Sequence, residues 1–180
     1  MPELPEVETV CQELNSPILL GTEIKKALVS WPRTIDRPTV EKFQSLIEGC
    51  QILKVSRRGK YLILKLSSGQ DLVIHLRMTG QFYYVQKPSE DPYVRVRLQL
   101  ENQQELCFKD TRKFGRWYLV DQHEEITWKL GPEPFDPLLT PNLFHEALRK
   151  RKRQLKPLLL DQGFIAGVGN IYAEIGRAHV

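Results

Sequence analysis

Leu130-Gly131-Pro132-Glu133-Pro134-Phe135-Asp136-Pro137 divides this chain into two regimes. Each proline fixes φ and lacks an N–H donor, so a run this rich in them cannot lie inside a helix or a central strand; it reads as a linker. Upstream, β-rich stretches with period-two alternation recur at Glu23–Trp31, Gln51–Arg57, Tyr61–Leu66, Leu72–Arg77, Gln81–Gln86, Tyr93–Leu100, Glu105–Lys109 and Arg116–Val120. Ser68-Gly69 is the clearest hairpin turn among them. Short strands separated by turns predict an antiparallel sandwich or barrel rather than a parallel sheet. Helices are expected from Glu6 to Leu14 and around Pro38–Glu48, the latter with Thr39 near its start and Gly49 at its end. Downstream, Thr140-Pro141 is a cap followed by a first-turn proline that opens a helix to about Arg151, and a second helical piece covers Gln154–Gln162. Gly167-Val168-Gly169-Asn170 then turns tightly into a third helix.

The expected class is therefore α+β: an N-terminal antiparallel β-sandwich with flanking helices over 1–129, a linker over 130–137, and helices meeting through a glycine turn over 138–174. A chain of 180 residues suits one or two domains with a real core, and the formal net charge of +4 favours an anionic partner. Cys11, Cys50 and Cys107 are odd in number and widely spaced, which excludes a disulfide framework or a zinc site built from them and points to a reducing cytoplasm. No apolar run is long enough to span a membrane, and the acidic N-terminus is unlike a signal peptide.

Two features carry chemistry. Trimming of Met1 leaves Pro2 with a secondary α-amine beside Glu3; an α-amine titrates near about 8, well below a lysine, so a useful fraction is nucleophilic at neutral pH. Such an amine condenses with an aldehyde-level carbon only to a charged iminium, an electron sink for breaking neighbouring bonds. The plainer alternative is that Pro2 and Pro5 punctuate a helix start whose glutamates favour the dipole. The second feature is basic clustering: Arg149-Lys150-Arg151-Lys152-Arg153 with Lys156, then Arg57, Arg58 and Lys60, then Arg112, Lys113 and Arg116. A charge run is commonly a solvated face, but separate clusters beside turns fit phosphate binding, as does the glycine turn with its exposed N–H groups.

Six motifs, in order, bear a resemblance. Pro2-Glu3-Leu4-Pro5-Glu6-Val7-Glu8-Thr9, Arg58-Gly59-Lys60-Tyr61-Leu62, Ile74-His75-Leu76-Arg77-Met78-Thr79-Gly80, Asp110-Thr111-Arg112-Lys113-Phe114-Gly115, Leu130-Gly131-Pro132-Glu133-Pro134 and Gly167-Val168-Gly169-Asn170-Ile171-Tyr172-Ala173 are similar to those of bacterial formamidopyrimidine-DNA glycosylases. Leu4 and the Arg112-Lys113-Phe114 loop favour this branch over the related endonuclease VIII-like pyrimidine glycosylases.

The resemblance implies a base-excision enzyme that binds damaged double-stranded DNA as a monomer, associates with the bacterial nucleoid, removes 8-oxoguanine and formamidopyrimidines, and cuts the strand by β,δ-elimination. It implies Pro2 as nucleophile, Glu3 as general acid/base, Glu6 as its support and Lys60 as a phosphate contact. Met78, Arg112 and Phe114 would fill the void left by a flipped nucleotide, and Lys156 and Asn170 would grip the backbone from a helix-two-turn-helix domain. Without it, Lys60 reads as a strand-edge lysine, Met78 and Phe114 as core residues, and His75, a possible DNA contact, as a satisfied core histidine.

Two departures accompany the resemblance. Tyr93 stands where the family has a histidine, and Ile175–Val180 reads like a translated sequencing adapter, which predicts a non-native tail on a truncated chain. The family's zinc finger, with one structural ion, would follow; no cofactor is expected within this chain. Truncation is further expected to bare the apolar face of Leu155, Leu158, Leu159 and Ile165, leaving salt-sensitive DNA binding with little turnover. A non-catalytic DNA-binding module and an unrelated RNA-binding basic barrel complete the readings.

Overall fold

Nine strands fold into two sheets in the computed structural model, which describes residues 1–177, with side chains through residue 175. The first sheet has the order β1-β7-β8-β6, from β1 (Ile24–Val29), β6 (Gln81–Val85), β7 (Val94–Leu100) and β8 (Glu105–Lys109). The second runs β2-β9-β5-β4-β3, from β2 (Ile35–Arg37), β3 (Ile52–Arg58), β4 (Tyr61–Leu66), β5 (Asp71–His75) and β9 (Arg116–Val120). All eight expected strands are present, and Ser68-Gly69 lies in the β4–β5 hairpin.

The expected antiparallel pairing holds for every named strand pair but one, which involves β2. This short strand, absent from the sequence reading, pairs in parallel with β9. Three residues are too few to show a period. β5 also ends at His75, because Arg77 takes a left-handed φ of 56° and turns the chain.

Between the sheets lies one apolar core centred on Trp117, Phe43 and Phe108, with Phe43 and Phe108 edge-on to the indole at 6.1 and 5.4 Å. Helix α1 (Leu4–Leu14) buries Leu4, Val7, Cys11 and Leu14, the spacing of one helical face. It starts two residues earlier than expected because Glu6 Oε2 accepts the Glu3 N–H at 2.9 Å, satisfying an orphan donor. Helix α2 (Val40–Ile47) is capped by Thr39, and α3 (Glu124–Thr127) is a single turn the sequence reading left blank.

Helices α4 (Pro141–Arg149), α5 (Leu155–Leu160) and α6 (Asn170–Arg177) follow the proline-rich stretch. Leu158, Phe164 and Ile165 are buried there, with Phe144, Leu148 and Leu159 packed against them. This corrects the expected bare face: among its four residues only Leu155 is exposed, because Phe144 and Leu148 of α4 and the Phe164 turn cover the others. α6 runs through Arg177 and so takes in 175–177 of the expected tail, while 178–180 lie outside the described residues.

The linker is pinned. Arg58 donates to the carbonyls of Leu130 and Gly131 at 3.2 and 2.6 Å, and the Gly131 N–H reaches Gln162 O at 2.9 Å. Glu133 accepts from the Gly59 N–H at 2.6 Å and pairs with Arg57 at 3.0 Å, while Arg57 also holds Glu8 at 2.7 Å. The proline-rich run is a seam tying α1, the β3–β4 turn and the helical region together.

Candidate active site and nucleic-acid interface

Glu3 precedes α1, yet its carboxylate is only 1% exposed because it is seated on the start of α6. Oε2 accepts the Gly169 N–H at 2.6 Å and the Tyr172 N–H at 3.4 Å; Oε1 accepts the Ile171 N–H at 2.8 Å. Unpaired N–H groups at a helix start carry positive potential, so the anion replaces water's hydrogen bonds with fixed dipoles. Position 169 must be glycine: a Cβ there would lie 2.4 Å from the Glu3 carboxyl carbon. The Leu4 N–H adds a bond to Gly167 O at 3.1 Å. Two ends of the sequence thus build one cradle.

Glu6 supports it from the other side. Its Oε2 takes the Glu3 N–H at 2.9 Å and its Oε1 the Tyr172 hydroxyl at 2.8 Å. Burial opposes its charge, but these donors outweigh burial and hold its carboxyl below the ordinary range. Lys60, in the β3–β4 turn, is 5% exposed. Burial pushes its ammonium pKa down while the Glu3 carboxylate pulls it up, so the two belong to one electrostatic site. The strand-edge reading of Lys60 therefore fails, because the pinned Gly59 backbone aims it inward.

Met1 lines a hollow of about 350 Å³ together with Arg77, Met78, Phe114 and Arg116. Pro2, half-buried, thus stands between a residue that shares this hollow with Met78 and Phe114 and the cradled Glu3. Met78 and Phe114 are 38% and 47% exposed, which rules out the core reading. Arg112 is exposed, its guanidinium 5.0 Å from the centre of the Phe114 ring.

The remaining expected residues are less alike. Asn170 is exposed as the first residue of α6, beside the Glu3 cradle. Lys156, on α5, is ion-paired to Glu174 of α6. His75 is buried, accepts the Arg77 N–H on Nδ1 at 3.0 Å and lies edge-on to Tyr61 at 4.6 Å. Burial, with Arg77 and Lys60 nearby, pushes its pKa down to about 3. The ring is thus packed and satisfied at Nδ1, as the core reading expects, and the possible DNA contact would fall to Nε2. Tyr93 is exposed, with Arg95 and Lys109 within 5.7 and 5.8 Å of its ring centre.

Sequence reasoning missed Gly169 and Tyr172 as partners of the two glutamates, although both stand in a quoted motif. Only the fold brings the two ends together. Among the described residues no group of three or more His, Cys, Asp or Glu side chains could hold a metal ion, and all three cysteines are free and buried. The donors for the zinc implied by the resemblance are thus not among these residues, and no chemistry below is routed through it.

Two family models match the chain: the formamidopyrimidine-DNA glycosylase N-terminal domain over residues 1–117 and the H2TH domain of the same enzymes over residues 130–175. The chain belongs to the formamidopyrimidine-DNA glycosylase family. It is 50% identical over 176 residues to the formamidopyrimidine-DNA glycosylase of Protochlamydia amoebophila, covering 97% of this chain and 63% of that protein. The glycosylase of Herpetosiphon aurantiacus is 42% identical, covering 97% and 65%. A crystal structure of the Lactococcus lactis formamidopyrimidine-DNA glycosylase, non-covalently bound to DNA containing an AP site, superimposes with a TM-score of 0.87 at 34% identity, covering 96% of this chain and 67% of that one. The chain spans somewhat less than two thirds of the length of the two curated relatives.

Proposed function

We propose that this chain is the catalytic and duplex-binding part of a formamidopyrimidine-DNA glycosylase, a base-excision repair enzyme acting on oxidised purines in the bacterial nucleoid. The observation that carries this reading is the basic hollow that Met1, two residues along the chain from the cradled Glu3, lines together with the exposed Met78 and Phe114. A flipped nucleotide needs a nucleophile at its sugar and a wedge in its vacated place, and here both stand side by side.

In this reading Met1 is trimmed and the Pro2 nitrogen attacks C1′ of the flipped sugar. The glycosidic bond breaks, its electrons leave on the base, and the base takes a proton from water. The Glu3 carboxylate takes the proton that the Pro2 nitrogen sheds and passes it to the ring oxygen, and ring opening gives the Pro2–C1′ iminium. The iminium accepts electrons in successive eliminations that expel the 3′ and then the 5′ phosphate, the strand cleavage expected of an AP lyase. Lys60 neutralises a phosphate beside the sugar, while Arg112 hydrogen-bonds the base left without a partner. Asn170, at the start of α6, and Lys156, paired to Glu174 of the same helix, contact the DNA backbone; for Lys156, phosphate competes with Glu174.

Borohydride trapping on an abasic duplex tests the reading. Protein beginning at Pro2 should form a covalent adduct, and protein retaining Met1 should form none while still binding DNA. Equal trapping by both forms rejects Pro2 as nucleophile. Lesion-selective binding by the Pro2 form without any trapping would reduce the chain to a damage-binding module.

A further inference from the structure

The turn between β5 and β6 and the loop between β8 and β9 are separate in sequence but share one buried carboxylate. Asp110 is wholly buried. Its Oδ1 accepts from the Thr79 hydroxyl and from the Arg112 N–H at 3.2 Å, and its Oδ2 accepts from the Gly115 N–H at 2.7 Å. The Arg112 N–H also reaches Thr79 Oγ1 at 3.2 Å. The backbone of Asp110 is fixed as well: its carbonyl takes Arg95 Nε at 2.7 Å, and its N–H donates to Tyr93 O at 2.9 Å. Both segments rest on the Phe108 ring, where a Cβ at Gly80 or Gly115 would lie 2.9 or 2.7 Å from ring carbons.

This arrangement ties three exposed side chains to one anchor. Met78 is the residue before Thr79, Arg112 donates its own N–H to the carboxylate, and Phe114 precedes Gly115, which does the same. The exposed side chains themselves have few fixing contacts beyond the Arg112–Phe114 stacking. We propose that Asp110, clasped by Thr79, is a positioning residue that makes Met78, Arg112 and Phe114 enter a DNA void as a single unit. The inference rests on the proposed function and adds that the three insertions are energetically coupled through a group that touches no DNA.

A wedge of independently mobile side chains must order each one separately on entering the stack. Ordering a rotamer-rich side chain at an interface costs conformational entropy, and a rigid base removes part of that cost. Coupling through a shared support appears as non-additivity, which a double-mutant cycle isolates. A role in stability alone lowers the folded fraction and leaves the cycle additive.

The experiment measures affinity of the full chain for a duplex containing a tetrahydrofuran abasic analogue and for the undamaged duplex, by fluorescence anisotropy. Met78→Ala, Phe114→Ala and the double substitution are made in the wild-type, Thr79→Val and Thr79→Ser backgrounds. The wild-type cycle should show coupling of about 5-fold or more, Thr79→Val should reduce it below about 2-fold, and Thr79→Ser, which keeps the hydroxyl, should restore it. Thr79→Val is the principal test because Asp110→Asn removes a wholly buried anion and threatens folding. Unchanged coupling in Thr79→Val, or an additive wild-type cycle, overturns the clasp while lesion preference persists. Loss of lesion preference in the wild type overturns the proposed function itself, and with it this inference.

Discussion

Glu3→Gln is ordinarily read as a silent removal of a proton donor, but the cradle predicts a structural cost. The carboxylate receives three N–H groups, two on Oε2 and one on Oε1. An amide has only one acceptor atom. Placing its oxygen at Oε2 keeps Gly169 and Tyr172 and turns an NH2 group toward the Ile171 N–H, donor against donor. Hydrogen bonds to a charged group contribute about 1.5–3 kcal/mol and neutral ones about 0.5–1.5, so one bond is lost, another weakened and one buried donor orphaned. Offset by the easier burial of a neutral group, the net is about 2–4 kcal/mol. For a chain of this length that lowers Tm by roughly 5–15 °C. Urea unfolding at pH 7, with hydrogen exchange at Ile171 and Tyr172, measures it, and Glu13→Gln on the exposed face of α1 is the control. If Glu3→Gln matches Glu13→Gln within about 0.5 kcal/mol, the size of an ordinary surface substitution, the cradle reasoning is wrong. If the cost is real, a loss of excision of about 10²–10⁴ counts toward proton transfer only after correction for the folded fraction.

Two further outcomes follow from the same geometry. His75 is held near pKa 3 in the fold against an ordinary 6.5, so the unfolded chain binds the extra proton between those values and stability falls as pH drops below 6.5. The slope approaches about 1.4 kcal/mol per pH unit; His75→Gln should flatten the decline between pH 6.5 and 5, and an unaltered acid profile by urea titration would contradict the burial argument. Glu133→Gln leaves Glu8 as the one carboxylate paired with Arg57 among the described residues and weakens the anchoring of Gly59, so it should cost about 1–3 kcal/mol and lower the yield of borohydride-trapped adduct through displacement of Lys60; a stable variant with full trapping would detach the seam from the site.

Strands were legible wherever alternation ran for five or more residues, because a half-buried sheet face imposes its period on the sequence. β2 and α3 were not, since three or four residues hold no period and their positions are set by packing. The proline-rich stretch was correctly read as a break in secondary structure, but its rigidity came from Arg57, Arg58 and Glu133, whose mutual contacts span over seventy positions. At the site, residue types and motif order pointed to Glu3, Glu6 and Lys60. What they could not convey was that Gly169 exists to admit a carboxylate from residue 3; the outward-facing Met78 and Phe114 were legible through the motif resemblance but not from residue type. A single sequence records apolar character without direction; the buried Asp110 beneath the loop supplies it.

The bonds from Gly169, Ile171 and Tyr172 to Glu3 join residues separated by 166 to 169 positions. On a ribosome adding about 5–20 residues per second, roughly 10–30 s pass between emergence of the N-terminus and synthesis of its partner. Throughout that interval the Glu3 carboxylate has only water for its hydrogen bonds, because none of its three N–H donors has yet been made. The cradle therefore closes among the last steps of folding on the ribosome, after the sheets that precede it in the sequence have been synthesised.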